Sequence, residues 1–292
     1  MTLAEMQSAV IEWYGLNARD LAFRRTKDPW SVLLSEVIAQ QTQARRAAEA
    51  WERLIAEFPT PASMAAASPA SVIRAWRGLG YNRRALALHR AATAMVDRHG
   101  GRVPDALDDL LALPGIGPYT ARAILSIAFD RPVAALDTNI RRVLSRAFLD
   151  VTPGPRALQE AADRLVPEGV AATWTHALMD IGAAFCRPRH PRCDVCPLRA
   201  HCRFVADGAT VPPRTRPGMA RRPTPRFEST SRWLRGRILD QLRDAPDGAA
   251  VAFDAGIGEH PVEAVHRALA EMARDGVIHL DPVRSDRACL PR

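Results

Sequence analysis

A chain of 292 residues, 47% hydrophobic and 25% charged, is long enough for one or two buried cores, and its 17 glycines without a repeat and five cysteines exclude a fibrous chain and a small disulfide-stapled secreted domain. No apolar run approaches the roughly 20 residues that cross a bilayer, and Met1-Thr2-Leu3-Ala4-Glu5 lacks the basic and apolar segments of a signal peptide, so a cytoplasmic protein without membrane contact is expected. Forty Lys and Arg against 32 Asp and Glu leave a charge of +8, which favours an anionic partner such as nucleic acid. Lys27 is the sole lysine, so nearly every positive charge is a guanidinium that can fork onto phosphate and cannot act as an amine nucleophile.

From Trp30 to about Val205 helical patterns follow one another, punctuated by Pro and Gly. Trp51, Leu54, Ile55 and Phe58 keep i, i+3, i+4, i+7 spacing ahead of Pro59-Thr60-Pro61. The same reading predicts helices over 71–77, 83–97, 105–113, 118–128, 138–148, 156–166 and 171–184, with little strand-like alternation. Between Asp207 and Glu228 prolines and arginines interleave, predicting an extended basic linker, about 206–226, that can touch phosphates. Beyond it two helical patterns, Trp233–Leu242 and Pro261–Asp275, precede Gly276-Val277-Ile278-His279-Leu280 and Ala288-Cys289-Leu290, which pair as an antiparallel hairpin and predict a winged-helix-like module over 227–292. The module's near-balanced charge predicts weak DNA binding on its own.

Four local features carry chemistry. Cys186, Cys193, Cys196 and Cys202 lie within 17 positions, and in a reducing compartment such thiols ligate metal; four sulfurs suit either tetrahedral zinc or an iron–sulfur cube. Cys289 lies far off and is expected to be an ordinary buried residue. In Leu113-Pro114-Gly115-Ile116-Gly117-Pro118-Tyr119-Thr120-Ala121 a Gly-x-Gly turn leads into a helix, a geometry that brings backbone N–H groups close to a phosphate. Asp137, in Leu136-Asp137-Thr138-Asn139, stands where a helix N-cap stands. Glu36, in Ser35-Glu36-Val37, is a carboxyl among apolar neighbours, and burial there raises its pKa and keeps it a proton donor near neutrality.

In this order the features resemble the helix-hairpin-helix DNA glycosylases with an iron–sulfur loop, over roughly residues 10–205. The closest likeness is to the branch that excises adenine mispaired with 8-oxoguanine, carried by Ser35-Glu36-Val37, Gln40-Gln41-Thr42-Gln43, Gly78-Leu79-Gly80-Tyr81, the Leu113–Ala121 hairpin, Leu136–Asn139, Leu178-Met179-Asp180-Ile181-Gly182-Ala183 and the cysteine loop. The resemblance implies a mainly α fold of two helical subdomains: a helical barrel with the hairpin over about 25–133, and the N-terminal helix with about 134–205. It implies a [4Fe–4S] cluster on the four cysteines, and as partner a DNA duplex with a mispaired or damaged base, bound by a monomer.

By the same likeness Glu36 protonates the adenine, Asp137 faces the oxocarbenium ion, and Tyr119 and Asn139 orient that site. Gln41 and Tyr81 match residues that enter the duplex as the base is flipped out, while Gly115, Gly117 and Thr120 belong to the phosphate-gripping hairpin. The chain lacks a lysine at the hairpin position where lyase-competent relatives of the endonuclease III branch carry one, which implies a monofunctional enzyme. Two departures stand out: residues 227–292 are too few for the Nudix-like domain of the larger adenine enzymes, and Asn82 follows Tyr81 where a second tyrosine is common. Thymine or uracil mismatch glycosylases, and a non-catalytic DNA-binding scaffold, are the alternatives.

Overall fold

The computed structural model describes residues 2–149, 154–211 and 225–292, so most of the expected 206–226 linker lies outside the described residues. In chain order the helices are α1 (Leu3–Asn17), α2 (Pro29–Ala39), α3 (Ala44–Glu57), α4 (Pro61–Ala66), α5 (Pro69–Ala75), α6 (Arg83–His99), α7 (Leu107–Leu111), α8 (Pro118–Ala128), α9 (Thr138–Ala147), α10 (Pro155–Arg164), α11 (Ala171–Ala184), α12 (Arg203–Ala206), α13 (Ser231–Asp244) and α14 (Val262–Arg274). Four short 3-10 helices (Ala22–Arg24, Cys193–Val195, Arg199–His201 and Phe227–Ser229) and three short strands, β1 (Val251–Ala252), β2 (His279–Leu280) and β3 (Arg287–Cys289), complete the described elements. The mainly helical expectation is met.

Local chemistry explains many boundaries. Thr2 and Glu5 cap each other's backbone at the start of α1. The Pro59-Thr60-Pro61 stop also starts the next helix, because Thr60 accepts from the Ser63 N–H and Pro61 fills the first turn of α4, where no donor is needed. Gly100, at φ +59°, closes α6 in the left-handed region.

The residues pack into two compact units, each assembled from separate stretches of chain. The first takes Met1–Glu36, Pro104–Ala112 and Ile116–Thr215. Its core joins Val10 of α1 to Ile140, Val143 and Leu144 of α9 and to Trp174, Ala177, Leu178 and Ile181 of α11. Three of the four clustered cysteines, Cys186, Cys196 and Cys202, pack against this core.

The second takes Val37–Val103, Leu113–Gly115 and Arg216–Arg292. One apolar cluster runs from Ala70 and Ile73 of α5 and Leu86 of α6 into Leu234, Ile238, Leu239 and Leu242 of α13, Val265, Leu269 and Met272 of α14, and Ala288 and Leu290. The C-terminal segment therefore shares its core with α5 and α6. Arg243, 8% exposed, donates to the Ile73 carbonyl (3.0 Å) and to Asn82 Oδ1 (2.7 Å), and Arg74 and Arg77 pair with Asp247 and Asp244. The hairpin forms, with His279 opposite Cys289 and Leu280 opposite Ala288. A third strand escaped the sequence reading: β1 pairs with β3, giving the order β1-β3-β2. Cys289 is partly exposed, a correction to the expected burial, because it lies on β3 beside the fully buried Ala288, and successive strand residues face opposite sides.

Candidate active site

Glu36 stands on α2 among Leu33, Leu34 and Ile38, which are fully buried. The residue keeps some surface, but its carboxyl is surrounded by protein atoms, and this burial raises its pKa from 4.5 to about 7. A hydrogen bond with Tyr119 and the positive charge of Arg24 oppose the rise; the negative charge of Asp137 assists it. Tyr119, in the first turn of α8, is in turn held well above the usual phenol range by burial and by Glu36 and Asp137. Glu36, Tyr119 and Asp137 thus belong to one electrostatic group within the first unit.

Asp137 is the N-cap of α9, as its position predicts: one carboxylate oxygen accepts from the Ile140 N–H (2.6 Å) and the other from Asn139 Nδ2 (3.0 Å). Both oxygens are thereby oriented by the start of α9. Asn139 Oδ1 accepts from Arg142 (2.8 Å), whose guanidinium also donates to the carbonyls of Thr138 (3.0 Å), Gly182 (2.7 Å) and Cys186. Gly182 is a steric necessity. A Cβ there would lie 2.7 Å from Asn139 Cβ and 3.0 Å from its carbonyl oxygen.

A second group centres on Asp180, which the sequence presents in the Leu178–Ala183 motif without a role or partners. Asp180, 3% exposed on α11, accepts from Arg24 (2.7 and 3.1 Å) and Arg19 (2.6 Å). Burial works against its charge, but the two guanidiniums hold the carboxyl below its ordinary range. His176, one turn earlier and stacked on Tyr14 (6.3 Å between ring centroids), is pushed down to about 3 by burial and by the charge of Arg24, and is a neutral imidazole at physiological pH. Arg24 Nε is buried without a hydrogen-bond partner among the described residues, and the charge of its guanidinium acts on Glu36. The signal available in the sequence was an acid inside the apolar Ala177–Ala183 stretch; nothing local singled out Arg24.

All four clustered cysteines line one pocket, together with Phe185, Pro191, Arg146, Arg199, Phe204 and Val205. Arg146 donates to Cys186 Sγ (3.6 Å) and to the Arg187 carbonyl (2.8 Å), and its guanidinium lies 5.1 Å from the Phe204 ring centroid. Burial raises the Cys196 thiol to about 11, with the neighbouring cysteines adding to the rise. Among the described residues no three Cys, His, Asp or Glu side chains converge as a single metal ion requires. Arg187, Arg189, His190 and Arg192 stand exposed on the intervening loop.

The hairpin and the two turns differ in why they need their residues. Gly115 has φ +80° and a Cβ there would meet Ala87 Cβ at 2.6 Å, so the fold itself demands glycine. Gly117, the N-cap of α8, has no protein atom within 4 Å of that position. Both are exposed, whereas the Thr120 side chain is buried at 3% exposure. Gln41 (φ +54°) and Tyr81 (φ +46°) are two of only four described non-glycine residues in the left-handed region. Such backbone costs about 1–3 kcal/mol per residue and persists where neighbours over-determine it. Here the neighbour is Arg84. It donates to the carbonyls of Val37 (2.8 Å), Ile38 (3.1 Å) and Gln40 (2.6 Å) and to those of Leu79 (3.2 Å) and Gly80 (3.3 Å), tying the two turns together.

Residues 34–168 match the family described as HhH-GPD superfamily base excision DNA repair protein. The chain is 41% identical over 240 residues to an adenine DNA glycosylase of Mycolicibacterium smegmatis, covering 81% of this chain and 80% of that protein. It is 39% identical over 247 residues to an adenine DNA glycosylase of Mycobacterium tuberculosis, covering 81% and 78%. A solved thermostable thymine-DNA glycosylase superposes with a TM-score of 0.65 at 28% identity, over 70% of this chain and 97% of that one.

Proposed function

Because the chain belongs to the adenine DNA glycosylases of the HhH-GPD superfamily, we propose that it hydrolyses the N-glycosidic bond of adenine mispaired with 8-oxoguanine or guanine in duplex DNA, as a monofunctional glycosylase of base excision repair. The observation that carries the reading is Glu36: a carboxyl raised to about 7 and hydrogen-bonded to Tyr119, in one electrostatic group with Asp137. Adenine is a poor leaving group. Glu36 gives its proton to N7 of the flipped base, the C1′–N9 bond breaks with its electron pair leaving on adenine, and Asp137 stabilises the oxocarbenium ion that remains. Water adds to C1′ and returns a proton to Glu36, so the products are free adenine and an abasic site. Arg24 Nε, buried and unpartnered, supplies a donor for the entering nucleotide. The 41% identity to an adenine enzyme, against 28% to the thymine-DNA glycosylase, disfavours the thymine/uracil alternative, and the pair of acids disfavours a non-catalytic scaffold.

The DNA contacts follow from the same residues. Gly115 and Gly117 offer exposed backbone at the start of α8, where the helix dipole favours a phosphate. Gln41 and Tyr81, on their left-handed turns, are the side chains that enter the stack as adenine leaves it. Cys186, Cys193, Cys196 and Cys202 suit a [4Fe–4S] cluster: four sulfurs face one pocket, Arg146 and Arg199 supply positive charge against an anionic cluster, and Phe185 and Phe204 shield it from water. When bound, the cluster's contribution is structural, holding the Arg187–Arg192 loop toward the DNA backbone.

The decisive experiment incubates the protein with duplexes carrying A opposite 8-oxoguanine, A opposite G, T opposite G and U opposite G, with and without alkali. Strand scission at adenine only after alkali is expected, since Lys27 is the sole lysine and is far in sequence from the hairpin. Scission without alkali, or at T or U in preference to A, overturns the reading.

A further inference from the structure

Tyr81 is 45% exposed, a large aromatic ring held on a strained turn. Two guanidiniums rest on it: Arg84 with its Cζ 5.8 Å from the ring centroid, and Arg232 with its Cζ 4.7 Å away. Arg84 belongs to the helix that follows the turn. Arg232 comes from 150 residues further along, in the first turn of α13, and its Nη2 also lies 3.6 Å from where a Cβ on Gly80 would stand.

The location of Arg232 is not incidental to the packing. Thr230 caps α13 on the Trp233 N–H, the buried face of Leu234, Ile238 and Leu239 shares a core with Ile73 and Leu86, and Arg243 at the far end bonds to Asn82, the residue next to Tyr81. Asp275, just past the end of α14, pairs with Arg235 (2.5 Å) and Arg83 (3.5 Å), a further tie to the residues after Tyr81. Asn82 stands where a second tyrosine is common in the resembled branch, and its partner is a C-terminal arginine. The C-terminal segment thus touches the Gly80–Arg83 turn through Arg232, Arg243 and Asp275, and among these three it is Arg232 that lies on the exposed ring.

We propose that Arg232 is a positioning residue for Tyr81, so that the C-terminal module takes part in base flipping by setting the face and rotamer of the side chain that enters the duplex. This rests on the glycosylase reading above. A guanidinium on an aromatic face holds the ring without covering its edge. With nine Arg against eleven Asp and Glu over residues 227–292, the module has no excess positive charge of its own to attract DNA, and it acts on base flipping through Arg232.

The test is a double-mutant cycle in the full-length protein, with wild type, R232A, Y81A and the double variant measured for single-turnover excision of A opposite 8-oxoguanine, for DNA affinity and for thermal midpoint. The fluorescence of a 2-aminopurine placed beside the target adenine reads base opening directly. R232A is expected to slow excision about two- to fivefold and to reduce the base-opening signal, with the thermal midpoint unchanged, and to have no further effect once Tyr81 is Ala. A loss that multiplies fully in the Y81A background makes Arg232 an independent phosphate contact and overturns the proposal, as does wild-type excision by R232A. Failure of the wild type to release adenine from any duplex is separate from both outcomes and overturns the underlying activity itself.

Discussion

Replacing Glu36 by Gln removes a proton donor while keeping shape and hydrogen-bonding capacity, and its two consequences have opposite signs. In the folded chain the carboxyl titrates near 7, whereas in the unfolded chain it titrates near 4.5. Below pH 4.5 it is neutral in both states and Glu36 carries no penalty. As pH rises from 4.5 to 7 the unfolded state ionises first, so the wild type loses stability relative to the variant, and above 7 the loss is complete. A gap of about 2.5 units at 1.36 kcal/mol each amounts to as much as about 3 kcal/mol. The variant is therefore expected to melt at the same temperature as the wild type near pH 4 and several degrees higher at pH 8, by calorimetry or thermal CD. Its single-turnover excision is expected to fall by about 10²- to 10⁴-fold, the range of general acid catalysis. Wild-type excision is expected to fall tenfold per pH unit above 7, and the residual rate of the variant to lack that limb. A variant with near-wild-type rates, or one with no pH-dependent gain in stability, refutes the assignment of Glu36 as a buried acid.

Asp137→Asn keeps a good N-cap on α9 while removing the charge, so excision is expected to be lost with DNA affinity and melting temperature nearly unchanged, measured by filter binding and calorimetry. Gly182→Ala drives a methyl into Asn139 and is expected to destabilise the protein by about 1–3 kcal/mol and to slow excision at temperatures where it is still fully folded, which single-turnover assays below its melting point resolve. The purified protein is expected to be brown, with broad absorbance near 400 nm and about four iron atoms per chain by metal analysis; stoichiometric zinc without iron refutes the cluster assignment. Ending the chain after residue 224 strips α13 and α14 from Ala70, Ile73 and Leu86, and is expected to lower the melting temperature or abolish soluble folding, seen by calorimetry or gel filtration.

Most helices are legible in the amino-acid order, because their apolar spacing and their Pro, Gly and Thr boundaries act within a few residues: Thr60 with Pro61, Gly100, and Asp137 as the cap of α9 are each local signals. The motifs are legible for the same reason, since four cysteines within 17 positions or a Gly-x-Gly turn before a helix are short-range patterns. Local spacing carries no information about long-range pairing, and there only the tertiary structure decided. Arg24 meets Asp180 across 156 positions, Arg142 joins Asn139 to the carbonyls of Gly182 and Cys186, and the raised pKa of Glu36 depends on burial and charge contributed by α8 and α9. The strand β1 was invisible because two residues have no periodicity, and it forms only where β3 offers an edge. The C-terminal segment read as a separate module because linker composition is local, while its shared core with α5 and α6 is a matter of shape between helices far apart in the sequence, such as Leu86 of α6 and Leu234 of α13.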